Sequence, residues 1–263
     1  MISKKALFFI ISIPFSLVWS TYANQELKIY AEDALPLSFI NKQGEPDGLA
    51  VKVVEDILKR IKSQSIVQVV PWARGWLMVS NEPNSVLFTM SHSSEREEKF
   101  TLLGPLMIGE LNLYSLKSNN ISFSNVVNIE TYNKIALLRS GICTSVLNSS
   151  GINVDFTHVT NDVQAVKMTA IKRVDYFCSF NYLVANIIND AGYNIDQFTP
   201  SYLLQNDKSY IAFSKGTNVE IIKLWQKAMI EMIEDGTMKD MFSEWLPGVK
   251  VPDYIEILGG SLE

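Results

Sequence analysis

The sequence predicts an α/β protein of two lobes, each a mostly parallel sheet with flanking helices. Three features predict it. Short apolar strands alternate with amphipathic helices, the alternation runs twice along the chain, and a stretch with few helix signals, Leu111 to Asn125, separates the two runs. Alternation of this kind joins parallel strands by crossovers and lays the helices on the sheet faces.

In order along the chain, Leu27 to Ala31 reads as a first strand, followed by a loop with Leu35-Pro36-Leu37 and a turn from Asn41 to Gly48 rich in Gly, Pro, Asn and Asp. Leu49 to Ile61 sets Val53, Val54, Ile57, Leu58 and Ile61 at helical spacing, and Ile66 to Val70 is the next strand. After residue 130 the pattern returns. A strand at Lys134–Leu138 leads to a helix after Gly141, a strand at Val154–Val159, a helix at Asp162–Lys172 and a strand at Val174–Phe180. Lys208 to Ser214 forms a late strand, and two amphipathic helices close the chain at Val219–Ile233 and Thr237–Trp245.

The N-terminus predicts a compartment. Lys4 and Lys5 precede an apolar run from Ala6 to Trp19, broken by Pro14, and Thr21-Tyr22-Ala23 offers small residues for cleavage, the order of a secretory signal peptide. The run is shorter than the roughly 20 residues of a spanning helix, and no cysteine near the cleavage point could take a lipid. Residues 1–23 are expected to be removed, leaving a soluble protein in the oxidising periplasm. Its 21 basic and 28 acidic side chains, about −7, argue against a nucleic-acid partner. Two cysteines are too few for a disulfide scaffold. His92 and His158 show no metal spacing with each other or with Cys143 and Cys178, so no metal or other cofactor is expected.

In open parallel sheets ligands collect at the carboxyl ends of strands, where helix N-termini expose unpaired N–H groups. Two such lobes facing each other make an anion-friendly cleft. Beyond that point the reading rests on a resemblance. Pro36-Leu-Ser-Phe39 followed by Gly48-Leu-Ala-Val51, Pro71-Trp-Ala-Arg-Gly75, Ser91 to Phe100 running on to Gly104-Pro105, Tyr210 to Gly216, and Asp235 to Trp245 occur in an order and spacing that resemble the family 3 extracellular solute-binding proteins. The resemblance covers nearly all of the mature chain and includes the Pro-Trp-x-Arg start of one branch. It implies the type II periplasmic-binding-protein fold, with residues 24–112 beginning lobe one, 113–207 forming lobe two, and 208–263 returning to lobe one. It also implies a monomer without catalytic function that captures a small polar solute, an amino acid or related carboxylate, for an ABC permease in the inner membrane.

The same resemblance assigns roles. Arg96 matches the carboxylate-binding arginine, whose planar fork suits two oxygens; read alone, it is a solvated member of the charge run Glu95 to Lys99. Ser91 and Thr89 match donors lining the same pocket. The turn Ser140-Gly141-Ile142-Cys143-Thr144 resembles the loop that takes the carboxylate's other side, with Gly141 allowing close backbone approach. Phe39 and Trp72 are candidates to stack on the solute, and Arg74 to add a second positive group. One departure matters: where amino-acid binders of the family carry an acid, this chain reads Phe180-Asn181. Asn181 offers only an uncharged acceptor, so a solute without an α-amine, or one held by Glu32 or Asp33, stays open. Cys143 and Cys178, on neighbouring strand regions of that fold, are candidates for a disulfide. The hinge is expected at Leu111–Leu116 and Leu203–Lys208.

Two rival functions remain: a dehydratase of cyclohexadienyl acids, and a sensor that docks on a membrane receptor. The sequence holds no G-x-S-x-G, H-E-x-x-H or phosphate-binding glycine motif.

Overall fold

The computed structural model describes residues 26–119, 134–150 and 155–260. The expected leader and the stretch from 120 to 125 lie outside them. The chain runs β1 (Lys28–Glu32), the short pair β2 (Phe39–Ile40) and β3 (Pro46–Asp47), α1 (Leu49–Arg60), β4 (Val67–Val70), α2 (Trp72–Asn81), β5 (Ser85–Ser91), α3 (Ser94–Lys99) and β6 (Thr101–Leu116). The second run is β7 (Lys134–Leu138), α4 (Ile142–Ser149), β8 (Asp155–Val159), α5 (Asp162–Ala170), β9 (Tyr176–Phe180), α6 (Val184–Asp190) and β10 (Phe198–Phe213). Helices α7 (Val219–Glu234) and α8 (Thr237–Trp245) and strand β11 (Glu256–Leu258) finish the chain.

The strands form one curled sheet in the order β4-β1-β5-β10-β6-β9-β7-β8, with β11 added on β6. Within each end the pairing is parallel, as the alternation predicts: β1 with β4 and β5, and β7 with β8 and β9. The two ends are joined by β6 and β10, antiparallel strands of 16 residues each. Here the structure extends the sequence reading. Lys208 to Phe213 is the last part of β10, and Leu111 to Leu116 is strand, not a break. Pro200 and Asn206-Asp207 carry turn chemistry, yet β10 absorbs such residues by register shifts against β6 at Pro200/Tyr202, Leu203/Gln205 and Ser209/Ile211.

β5 meets β10 at Ser209 to Phe213, whereas β9 meets β6 at Leu111 to Tyr114. The passage between the two ends is therefore the paired segment Ile108–Leu111 against Gln205–Lys208. Gly109 lies there because a Cβ would overlap the Tyr182 ring and come within 2.8 Å of Asn181 Oδ1.

Helix faces follow their apolar spacing. α1 buries Val53, Val54, Ile57 and Leu58, and α7 buries Ile221, Ile222, Trp225, Met229 and Met232. These helices cover the first end of the sheet together with α8, while α5 and α6 cover the second. No helix among the described residues is long and apolar enough to cross a membrane.

Candidate functional site

Between the two ends of the sheet lies a small cavity of about 60 Å³. Glu32, Trp72, Thr89, Ser91 and Arg96 line it from one side, and Gly141, Cys143, Asp162, Cys178 and Phe180 from the other. Leu111, Leu138, Ile142 and Leu183 complete an apolar rim. A wider hollow of about 540 Å³ outside it carries Glu32, Asp33, Asp162 and Asp190. A further hollow, about 750 Å³ beside His92, Ser145 and Glu256, does not include Arg96.

Arg96 owes its position to α3. Ser93 caps the helix by accepting from the Arg96 N–H, and one turn carries the side chain back under β5. The residue is only 2% exposed, which excludes a solvated charge run. Its neighbours' acids are engaged elsewhere, Glu95 with Lys99 and Glu97 with His92. The guanidinium donates to two carbonyls, Ser91 O at 2.9 Å and Ser140 O at 3.3 Å. It lies 5.4 Å from the Trp72 ring and 5.3 Å from the Trp76 ring. Among the described residues no carboxylate comes within 4.0 Å of it. Burial draws its pKa down to about 10, opposed by the more distant Asp207, Glu95 and Glu32, so it keeps its proton at neutral pH. A desolvated cation with no carboxylate in ion-pair range is a candidate anion site.

The walls around it are built locally. Thr89 has φ +62°, a strained value for a β-branched residue, next to a register shift between β5 and β10. That kink brings both Thr89 and Ser91 to the cavity. Trp72 opens α2 after Pro71 and donates from Nε1 to Ser140 O at 3.0 Å. The Ser140 carbonyl thus takes bonds from Trp72 and Arg96 and ties the two walls together. On the second wall Ser140 takes the left-handed turn (φ +59°), leaving Gly141 extended as the cap of α4. A Cβ at Gly141 would stand 3.0 Å from Leu138 O. The first N–H groups of α4 face the cavity end of that helix and have no intrahelical acceptor. Cys143 and Cys178 are joined by a disulfide, with Cα atoms 6.4 Å apart, so α4 is fastened to β9 at the cavity wall.

Other expected site residues lie elsewhere. Phe39 packs 6.1 Å from Trp245, on the α8 side, because β2 pairs with β3 beyond the cleft. Arg74 is exposed on the outer face of α2. Thr144 turns its hydroxyl to Leu138 O at 3.3 Å, a bond inside its own lobe. Asn181 accepts from the Glu110 N–H at 3.1 Å and so belongs to the passage between lobes. Asp33 stays at the outer hollow while Glu32 reaches the cavity.

Asp162, which sequence reading treated only as a helix start, is the main addition. Asn161 caps α5 through its own carboxamide, accepting from the Gln164 N–H, which leaves the Asp162 carboxyl free to face the cavity. Burial pushes Asp162 up to about 6. Glu32 is also held well above the usual carboxylate range, first by burial and then by Asp162, against the pull of Arg96. Both residues keep partial accessibility, toward the cavity and hollow that they line.

Solved structures with this fold include a histidine kinase sensor domain described as similar to periplasmic binding proteins. It is 18% identical, with a TM-score of 0.78 over 88% of this chain and 100% of that one. A putative L-cystine ABC transporter protein from Listeria monocytogenes is 19% identical, with a TM-score of 0.74 over 88% and 99%. An ABC uptake transporter substrate-binding protein from Streptococcus pneumoniae with bound histidine is 13% identical, with a TM-score of 0.77 over 89% and 97%. No curated protein sequence matches the chain. The model of the bacterial extracellular solute-binding proteins, family 3, matches residues 27–248, and the chain belongs to that family.

Proposed function

We propose that this protein captures one small carboxylate-bearing solute, an amino acid or a close relative, in the periplasm and presents its closed form to an ABC permease. The observation that carries the reading is Arg96: a buried guanidinium, beside two indole rings, lining the cavity with no carboxylate among the described residues within 4.0 Å of it. A solute carboxylate would supply the missing anion, and the α4 N-terminus would receive its other side. Sequences of the family and the solute-binding proteins that share the fold support an import role. The leader predicts export, and a monomer suffices because both walls of the cavity come from one chain. Closure would bend the paired segment around Gly109.

Native mass spectrometry of freshly purified protein, followed by thermal melts with single L-amino acids and small carboxylates, tests this reading. A solute present at 100 times its Kd stabilises by about 2.7 kcal/mol, which raises the melting temperature of a chain this size by roughly 5–10 °C. No shift with any carboxylate, amino acids included, would remove the reading.

A further inference from the structure

We propose that the Cys143–Cys178 disulfide positions the second wall of the solute site, so that solute capture depends on its redox state. Breaking the bond weakens the carboxylate contact, and a bound solute in turn shields the bond from thiols. The inference rests on the function proposed above for the same cavity.

Both cysteines line the cavity. Cys143 is the second residue of α4, whose leading N–H groups lack intrahelical acceptors, and Cys178 stands in the middle of β9. Sheet pairing does not join these two places. β7, which leads into α4, pairs with β9 at Ile135–Tyr176 and Ala136–Phe177, whereas Cys178 to Phe180 pair with β6 on the other edge. The covalent bond takes over where the backbone ladder between β7 and β9 stops. α4 is otherwise lightly held. It is eight residues long, about two turns, and buries only Ile142 and Leu147. Its Thr144 hydroxyl bonds back to Leu138 O, inside the same turn. A helix this short does not hold its own geometry in water, so the direction of its first N–H groups depends on its ties. Ahead of α4 the tie is Ser140 O, which receives Trp72 and Arg96 from the first wall, and within α4 it is the disulfide.

Reduction by a dithiol balances simply. Two electrons and two protons pass to the Cys143 and Cys178 Sγ atoms, the S–S bond becomes two thiols, and the dithiol closes to its own disulfide. α4 is then free to open locally while β7, β8 and β9 stay paired. The half of the carboxylate contact opposite Arg96 loses its fixed position. A solute seated in the cavity covers the face of the bond that lines it. Coupling of this kind is reciprocal: the factor by which reduction weakens the solute is the factor by which bound solute stabilises the disulfide.

The test titrates the purified chain, oxidised or held in dithiothreitol, with each of the twenty protein L-amino acids and with the carboxamide of the tightest one. Reduction should weaken that amino acid about 10-fold or more and leave its carboxamide, which lacks the carboxylate, nearly unchanged. In mixtures of reduced and oxidised dithiothreitol, saturating amino acid should raise the ratio needed for half-reduction by the same factor. Cys143→Ser combined with Cys178→Ser should bind as weakly as the reduced chain and ignore dithiothreitol. Hydrogen exchange should quicken in α4 on reduction and stay unchanged in β7 and β9. Equal affinity and equal α4 exchange in both redox forms would overturn the coupling and leave the solute reading standing. Equal losses for the amino acid and its carboxamide, or exchange that quickens through β7 and β9 as well, would make the bond a structural tie only. Failure of every amino acid to bind the oxidised chain would remove this inference together with the amino-acid reading it rests on.

Discussion

Two arginines in this chain show how the same side chain is put to opposite uses. Arg60, at the end of α1, donates to Asp56 at 2.5 Å, to Asp235 at 2.8 Å and to Thr237 Oγ1 at 3.1 Å, with Glu231 at 3.9 Å. These bonds fasten α1 to α7 and α8, and they hold Arg60 above and Asp235 below their ordinary pKa values. Arg96 has two carbonyls, two indoles and no acid. A saturated arginine is a fastener, whereas an arginine buried with no carboxylate in ion-pair range is, on the function proposed above, a receptor whose partner comes with the solute. The pKa directions agree: paired acids raise Arg60, and burial lowers Arg96.

Truncating the receptor should have the largest effect. Arg96→Ala removes both hydrogen bonds to a buried carboxylate, a loss of about 2–5 kcal/mol, or roughly 30-fold to several-thousand-fold in affinity. Arg96→Lys should recover part of it, since an ammonium keeps the charge but not the fork. Arg96 is among the largest fully buried side chains and packs beside both the Trp72 and Trp76 rings. Arg96→Ala should therefore also lower the melting temperature of the free protein, and Arg96→Lys should lower it less. Titration of both variants beside thermal melts checks this, and an affinity loss no greater than that of an Arg60 variant would break the comparison.

What the sequence showed and what it hid divide along the same line. Arg96, Ser91, Thr89, Trp72, Gly141 and Cys143 were legible because each lies in a short local motif at a strand or helix end, and the fold brings those ends together. Phe39, Arg74 and Asn181 lie in equally recognisable motifs, but their side chains leave on the other face of β2, α2 and the turn after β9. A motif fixes the backbone and leaves the direction of the side chain to the pairing partners. Asp162 was hidden for the converse reason. An acid in the first turn of a helix is common, since it complements the helix dipole, and nothing local marks this one as meeting Glu32 across 130 residues of chain. The long strands β6 and β10 were half hidden because register shifts let them carry Pro200 and Asn206-Asp207 without ending.

The second wall of the cavity has its own fastener, which is covalent. The Cys143–Cys178 bond closes a loop of 35 residues and pins the start of α4 to β9. In the chain-entropy model it stabilises by about 3–4 kcal/mol. Replacing both cysteines with alanine should lower the melting temperature of the free protein by roughly 6–15 °C for a chain of this size. Wild type melted in reductant should approach the variant, and the variant should not respond to reductant. Should the variant melt with wild type, the wall is held by packing of Leu111, Ile135, Leu147 and Tyr176 and the disulfide adds little.

The smallest effect belongs to Arg60, and its pH dependence sharpens the contrast. Its acids Asp235 and Glu231 are substantially exposed, and solvent screens such pairs, so Arg60→Ala should lower the melting temperature by no more than about 2–4 °C at neutral pH and leave solute affinity unchanged. Thr237 and Arg60 depress Asp235 from 3.8 to about 2. A depressed acid contributes stability that is fully present above its unfolded pKa and is lost as pH falls through the folded one. The difference between wild type and Arg60→Ala should therefore hold down to about pH 4 and close between about pH 4 and pH 2. The cleft acids run the other way. Asp162 is raised to about 6 by burial, so its charge destabilises the empty protein above that pH, and the penalty fades as pH falls from about 6 toward 4. Melts of wild type, Arg60→Ala and Asp162→Asn across this range separate the two regions. In the free protein Asp162→Asn should gain over wild type at neutral pH and lose that gain by about pH 4, while Arg60→Ala keeps its deficit through that interval. Parallel curves for the two variants would mean that both arginine neighbourhoods are ordinary ion-pair surface, with nothing reserved for a solute.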